Sequence, residues 1–244
     1  MKKIYFSAAG TTRRLVEFLA EQTGETGDTI DLGTEAYGEL LPGELCLIGV
    51  PSFGGRVPSI AAERLGRLKG NGGRAVLAVT YGNRAYEDTL LELKDICEDI
   101  GLTVIGAMCV VCEHSILHVF GQGRPDETER RQIAAFMEEV KDKRTAMHAG
   151  VPGSRPYKPY GVIPMKIQTK ETCTGCGLCA QTCPVHAIDS KRPSVIDADR
   201  CLSCMHCVSV CPVRAKKTDE AQISMMIEKK GHLFIEPKKN EFYL

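Results

Sequence analysis

Eight of the chain's twelve cysteines fall in two runs, CTGCGLCAQTCPVHA from Cys173 and CLSCMHCVSVCPVRA from Cys201, offset by 28 residues. Each reads C-x2-C-x2-C-x3-C-P. Three thiolates on one tight loop can cap three irons of a cubane, while the fourth, carried off into the next turn by the proline that follows, reaches the other cubane. The spacing therefore assigns Cys173, Cys176, Cys179 and Cys211 to one 4Fe-4S cluster, and Cys201, Cys204, Cys207 and Cys183 to a second. Zinc also accepts four thiolates, but usually as two separated pairs. The third and fourth cysteine of each half, with Pro184 or Pro212, favour iron and sulfur. Small residues beside the ligands, Gly175, Gly177 and Ser203, allow backbone N–H groups to approach the sulfurs and stabilise a reduced cluster. Met205 and His206 stand between ligands of the second run, so the two centres are expected to differ in potential. His206 itself reads as a solvated loop histidine.

A second candidate is the loop SAAGTT, residues 7–12, between an apolar run and a polar helical stretch. A helix N-terminus offers unpaired N–H groups and the positive end of its dipole to an anion. Ser7, Thr11 and Thr12 add hydroxyls, and Gly10 permits close approach of the backbone. Neither G-x-G-x-x-G nor G-x-x-x-x-G-K-[ST] is present. With no lysine in the loop, a phosphate monoester held by neutral donors fits better than a triphosphate with magnesium.

These residues need elements to position them. Residues 1–147 alternate strand-like runs (KKIYF, DTIDL, ELCLIGV, GRAVLAVT and LTVIGAMCVV) with amphipathic stretches starting near Thr11, Pro58, Arg84 and Asp126. That alternation predicts a doubly wound parallel sheet of five strands with helices on both faces. Asp126 and Glu129 form a capping-box signature before an apolar stripe through Ile133, Phe136, Met137 and Val140. Residues 148–164, rich in Pro and Gly, read as a semi-extended linker. Residues 165–244 then carry the pseudo-twofold cysteine repeat and a C-terminal extension.

Formal net charge is zero, and no cluster of Lys and Arg with aromatics speaks for nucleic acid. Charge is nevertheless divided: Lys and Arg outnumber Asp and Glu 14 to 9 over residues 151–244 and are outnumbered 17 to 22 over residues 1–150. The basic excess offsets the negative charge that thiolate-bound clusters bring. MKKIYF ends its apolar run too soon for a signal peptide, and no run approaches the length of a membrane span. Twelve cysteines without an export signal point to thiols in the reducing cytoplasm. Cys109 and Cys112 imitate half a metal site, but residues three apart on a strand face opposite ways; with Cys46 and Cys97 they read as core thiols. His114 lies past the fifth strand and reads as a loop histidine, with a proton donor to flavin or substrate as the sharper alternative. Arg56 and Arg124 read most simply as surface charge, with placement of a substrate or pairing with a carboxylate as the alternative.

The loop SAAGTT resembles the phosphate loop of flavodoxins. Flavodoxins hold the flavin ring with loops after the third and fourth strands, where this chain has PSFGGRVP (51–58) and TYGNRAYED (80–88). That resemblance implies FMN bound by Ser7, Ala8, Ala9, Gly10, Thr11 and Thr12, by Pro51, Ser52, Phe53, Gly54 and Gly55, and by Thr80, Tyr81, Gly82, Asn83 and Tyr86. Phe53, Tyr81 and Tyr86 are the candidates for stacking on the ring. Taken whole, the chain resembles the bacterial and archaeal family that fuses a flavodoxin-like domain to a two-cluster ferredoxin domain and is often found in anaerobes. The resemblance covers nearly the full length and includes TYGNRAYEDTL, EHS at 113–115 and GRPDE at 123–127. Ala9 departs from it, since Thr is common there. What it implies is a flavodoxin-like sheet followed by a small α+β bacterial-ferredoxin-like domain, carrying FMN and two 4Fe-4S clusters. The implied function is electron transfer with a redox protein or a small-molecule donor or acceptor. The alternative is an FMN-dependent reductase of a small molecule, fed by its own ferredoxin domain. No NAD fingerprint is visible.

Overall fold

The computed structural model describes residues 1–34, 37–161 and 165–244; the last three residues of the expected linker lie outside the described residues. In chain order the elements are β1 (Lys2–Tyr5), α1 (Thr11–Thr23), β2 (Asp28–Asp31), β3 (Leu45–Pro51), α2 (Ser59–Leu65), β4 (Arg74–Tyr81), α3 (Thr89–Asp99), β5 (Thr103–Val111) and α4 (Glu127–Val140). They are followed by β6 (Ile167–Thr169), α5 (Leu178–Gln181), α6 (His206–Ser209), β7 (Lys216–Thr218), α7 (Glu220–Lys230), a 3-10 turn (Gly231–Phe234) and β8 (Glu241–Tyr243). The first five strands are parallel in the order β2-β1-β3-β4-β5. This is the flavodoxin-like order, which reverses beside β1.

The apolar runs become strands because both faces of the sheet are covered. Alternate residues of β4 divide between the two layers: Ala75, Leu77 and Val79 pack with α2 and α3, and Val76 and Ala78 with α1 and α4. α1 approaches β3 at Gly49, where a Cβ would come within 2.4 Å of Val16. α4 starts as expected, with Asp126 and Glu129 completing a capping box. α3 begins five residues later than the sequence suggests. Asn83 and Glu87 adopt left-handed backbone, and the Asp88 N–H is drawn to the Gly55 carbonyl at 3.0 Å, so residues 84–88 cannot continue a helix. Cys109 and Cys112 do face opposite layers. Burial pushes the thiols of Cys46 and Cys112 up to about 12, as inert core thiols require.

Residues beyond the cysteine repeat return to the first domain, which the sequence pattern did not reveal. β8 pairs antiparallel with β5 and makes the sheet six-stranded. The approach to it is held by side chains. Asn83 donates from Nδ2 to the carbonyls of Phe234 and Glu236 and accepts from the Lys238 N–H at 2.9 Å, while Arg124 donates to the Lys238 carbonyl. Asn83 is buried, so Asn83→Ala would strand several backbone groups. A loss of about 1–3 kcal/mol in chemical denaturation is expected.

The linker is equally fastened. Asp88 accepts the N–H groups of Ser154 and Lys158 at 2.9 and 2.7 Å, and Asp95 pairs with Arg155 and Tyr157. Arg56, expected on the surface, is buried: it forms a bidentate pair with Glu92 at 2.8 and 2.7 Å, with its guanidinium 4.1 Å from the Tyr160 ring centroid and 4.8 Å from that of Tyr157. Arg124 likewise pairs with Glu129. Among the described residues no helix is long and apolar enough to cross a membrane.

Candidate functional site

At the carboxyl ends of β1, β3 and β4 the loops line a partly open cleft of about 200 Å³. Its first wall is the loop before α1. Gly10, at φ +85°, turns the chain into the helix, a conformation that only glycine adopts at no cost. The Arg13 N–H donates to Ser7 Oγ at 2.9 Å and the Arg14 N–H to the Gly10 carbonyl at 3.1 Å. The N–H groups of Thr11 and Thr12 are the first-turn donors for which a helix has no carbonyl. Thr12 Oγ1, 2.8 Å from Thr80 Oγ1, is buried and serves to tie α1 to β4. The second wall is a tight turn in which Phe53 and Arg56 exchange backbone hydrogen bonds at 3.0 and 3.2 Å. Phe53 stands edge-on to Phe6.

Of the residues expected around FMN, Ser7, Ala8, Ala9, Thr11, Thr12, Pro51, Ser52, Phe53, Gly54, Thr80, Tyr81 and Gly82 line this cleft. Gly10, Gly55, Asn83 and Tyr86 do not line it. Gly55 is packed against Glu87, and Asn83 clasps the C-terminal segment. The Tyr86 hydroxyl bonds to Glu241 at 2.8 Å and Tyr243 at 2.9 Å, which fastens β8. Tyr81 also donates to that segment, at the Lys239 carbonyl.

Four parts of the wall lie outside the expected set, the first being Pro58 and Ser59 at the start of α2. Cys112, Glu113, Ser115 and Ile116 follow β5, with His114, already singled out, among them; Tyr160 and Gly161 come from the linker; and Leu202, Ser203 and Cys204 come from the second cysteine loop. Apart from Pro58 and EHS at 113–115, their positions in sequence carry no local signal for this role.

His114 packs edge-on to Phe234 and lies so close to Gly82 that a Cβ there would come within 2.4 Å of it. Its Nδ1 accepts the N–H groups of Ile116 and Leu117, both at 3.1 Å, so the proton of the neutral ring sits on Nε2. Burial pushes its pKa down to about 4, with His118 and Arg84 adding to the effect. His114 is thus a neutral donor at physiological pH. Between its folded value and the usual 6.5 the unfolded chain binds the extra proton, so this residue makes stability rise with pH across that window. Replacing it with Gln is expected to flatten the slope of stability between pH 4 and 6.5, read by denaturant titration at several pH values.

The cysteine repeat is built with matched backbone. Gly175 and Ser203, Gly177 and Met205, and His186 and Arg214 are pairs 28 residues apart, and all six are left-handed. α5 and α6 sit at the same offset. N–H groups do approach sulfur: Ala187 to Cys183 Sγ at 3.4 Å, its counterpart Ala215 to Cys211 Sγ at 3.2 Å, and Ser203 to Cys201 Sγ at 3.5 Å. Burial raises the Cys204 thiol to about 12, and Cys207, Cys183 and Cys201 are near enough to raise it too. Cys183 and Cys207 both pack against the cluster that contains Cys179, so cysteines of the two runs share one small apolar cluster. Among the described residues no three His, Cys, Asp or Glu side chains close on a single metal ion; a four-iron centre attaches its thiolates to separate irons. The donor set, the N–H···S contacts and the left-handed turns fit such centres.

Hydrogen bonds and apolar packing bind this repeat to the first domain. His206, read from sequence as solvated, has Nδ1 2.9 Å from the Ala8 carbonyl. Arg64, buried in α2, donates to the carbonyls of Leu32 and Pro184, both at 2.9 Å. Cys204 packs against the apolar layer that covers the α2 and α3 face of the sheet.

A model for 4Fe-4S dicluster domains matches residues 172–215. No curated protein matches the chain. Among solved structures, a rubredoxin oxygen:oxidoreductase from Desulfovibrio gigas aligns at 14% identity and a TM-score of 0.38 over 57% of this chain and 34% of its own. A flavodoxin from Streptococcus pneumonia aligns at 15% identity and 0.42 over 57% and 96%, and a flavodiiron protein from Giardia intestinalis at 18% and 0.33 over 59% and 35%. The chain thus spans about a third of the first and third of these. With the strand order β2-β1-β3-β4-β5 in its first domain and the dicluster match in its second, this chain is a flavodoxin-like domain joined to a ferredoxin-type 4Fe-4S domain.

Proposed function

We propose that the chain is an electron-transfer flavoprotein that holds FMN in the cleft and two 4Fe-4S clusters on the cysteine repeat. Cys173, Cys176, Cys179 and Cys211 would hold one cluster and Cys201, Cys204, Cys207 and Cys183 the other. When bound, FMN accepts one or two electrons and each cluster one. The observation that carries the reading is the shared wall: Leu202, Ser203 and Cys204 of the second cysteine loop line the same cleft as SAAGTT.

The residues divide the work. Thr11 and Thr12 N–H groups and the Ser7 and Thr11 hydroxyls face an anion at the start of α1. Phe53 and Tyr160 supply apolar wall, and His114 Nε2–H is a fixed donor. His206 holds the second cysteine loop against the cleft, and Arg64 holds the end of the first run at Pro184. Cys176 is exposed, which suits exchange with an external one-electron donor or acceptor. Eight thiolates that must stay reduced suit the cytoplasm.

The second reading, an FMN-dependent reductase, draws on Glu113, His114 and Ser115, polar groups on the cleft wall beyond the expected flavin loops. Both rest on the same first measurement: anaerobic purification, cluster reconstitution, and a count of iron, acid-labile sulfide and released flavin per chain. About eight iron and one FMN is the expected result. Eight iron without flavin would overturn the flavin assignment, and zinc in place of iron would overturn the cluster assignment.

A further inference from the structure

Lys216 opens β7 and is only 2% exposed. A buried ammonium is costly unless an anion balances it. Its Nζ donates to Thr169 Oγ1 at 2.8 Å and to the Pro193 carbonyl, two neutral acceptors for a group with three N–H donors. No carboxylate within salt-bridge distance of it is found among the described residues. The groups packed around it belong to both cysteine sets: its neighbour Ala215 donates its N–H to Cys211 Sγ at 3.2 Å, and α6, which carries Cys207, packs against β7.

The repeat supplies a control. The residue 28 positions earlier is Ile188, also buried, so the fold fills the equivalent place with an apolar side chain. Charge at 216 is a departure from the pseudo-symmetry, and packing alone does not require it.

We infer that Lys216 is a fixed internal counter-ion shared by the two 4Fe-4S centres, raising the reduction potential of both by offsetting the negative charge each gains when it takes an electron. The inference rests on the cluster assignment above. Lys216 touches no external substrate and acts as a positioning charge.

The test compares full-length wild type with Lys216→Ile, Lys216→Gln and Lys216→Arg after anaerobic reconstitution. Iron is counted first, and the clusters are then reduced with dithionite at controlled potential while EPR and visible absorption are followed. With wild-type iron content, the Ile and Gln variants are expected to show a ratio of reduced to oxidised cluster about tenfold lower at a fixed mid-range potential, the effect of removing one unit charge at intermediate dielectric. Arg is expected to retain wild-type behaviour, and the shift is expected to persist in high salt because the charge is buried. Wild-type potentials in the Ile or Gln variant would overturn the inference. Loss of iron from Ile and Gln but not Arg would support it, and loss from all three would overturn it in favour of a packing role. Failure of wild type to bind iron would sink the underlying cluster assignment instead, and the iron count reveals that before any titration.

Discussion

Replacing Cys204 with Ala is expected to leave a protein with about four iron in place of eight and with flavin that no longer equilibrates rapidly with a reductant supplied to the cysteine domain. Cys176→Ala is expected to lose the same amount of iron with a smaller effect on the flavin. The asymmetry follows from placement. Cys204 lines the cleft and packs on the sheet's apolar layer, whereas Cys173, Cys176, Cys179 and Cys211 do not line it. The crossed ligand pattern sharpens the contrast, because Cys183→Ala should resemble Cys204→Ala although it belongs to the first run. Iron analysis, EPR and stopped-flow reduction followed at flavin wavelengths read all three variants. Equal flavin kinetics in Cys204→Ala and Cys176→Ala would refute the proposed proximity.

Glu92→Ala is expected to be the most destabilising single change outside the clusters, by about 3–5 kcal/mol, because it leaves the Arg56 guanidinium buried without its partner. The carboxylate also accepts the Val57 N–H at 2.8 Å and the Tyr160 hydroxyl at 3.0 Å. Its loss therefore releases the turn beside Phe53 and the linker together. Denaturant unfolding should show the drop, and limited proteolysis should cut near residues 155–160 faster than in wild type. Arg56→Met with Glu92→Leu is expected to recover much of the stability without restoring the linker's fastening, since a well-packed apolar pair avoids the desolvation of both charges.

The architecture was legible because its signals are local. Alternation of apolar runs and helical stretches gave the sheet, the Asp126–Glu129 box gave the start of α4, and the cysteine spacing gave the dicluster domain. Three walls of the cleft were readable for the same reason, since each follows a strand. Tyr86 reads as a stacking candidate because an aromatic residue after a strand looks the same whether it faces a ligand or hydrogen-bonds through its hydroxyl to Tyr243, 157 residues away. His206 and Ala8 are separated by 198 residues, and nothing in MHC or SAAG marks them as neighbours. Arg56 looked like surface charge because its burial depends on Glu92, Tyr157 and Tyr160 arriving from other segments.

The 4Fe-4S domain is fastened to the flavodoxin-like domain at both of its ends, through the linker laid along α3 and through the segment that becomes β8. Severing either connection leaves the other in place. A chain nicked in the linker should therefore migrate as one particle under native conditions, with its two fragments still held through β8 and Asn83. Such a protein lends itself to being expressed as two separate polypeptides that find each other, the break being placed in the linker and the short terminal strand acting as the adhesive.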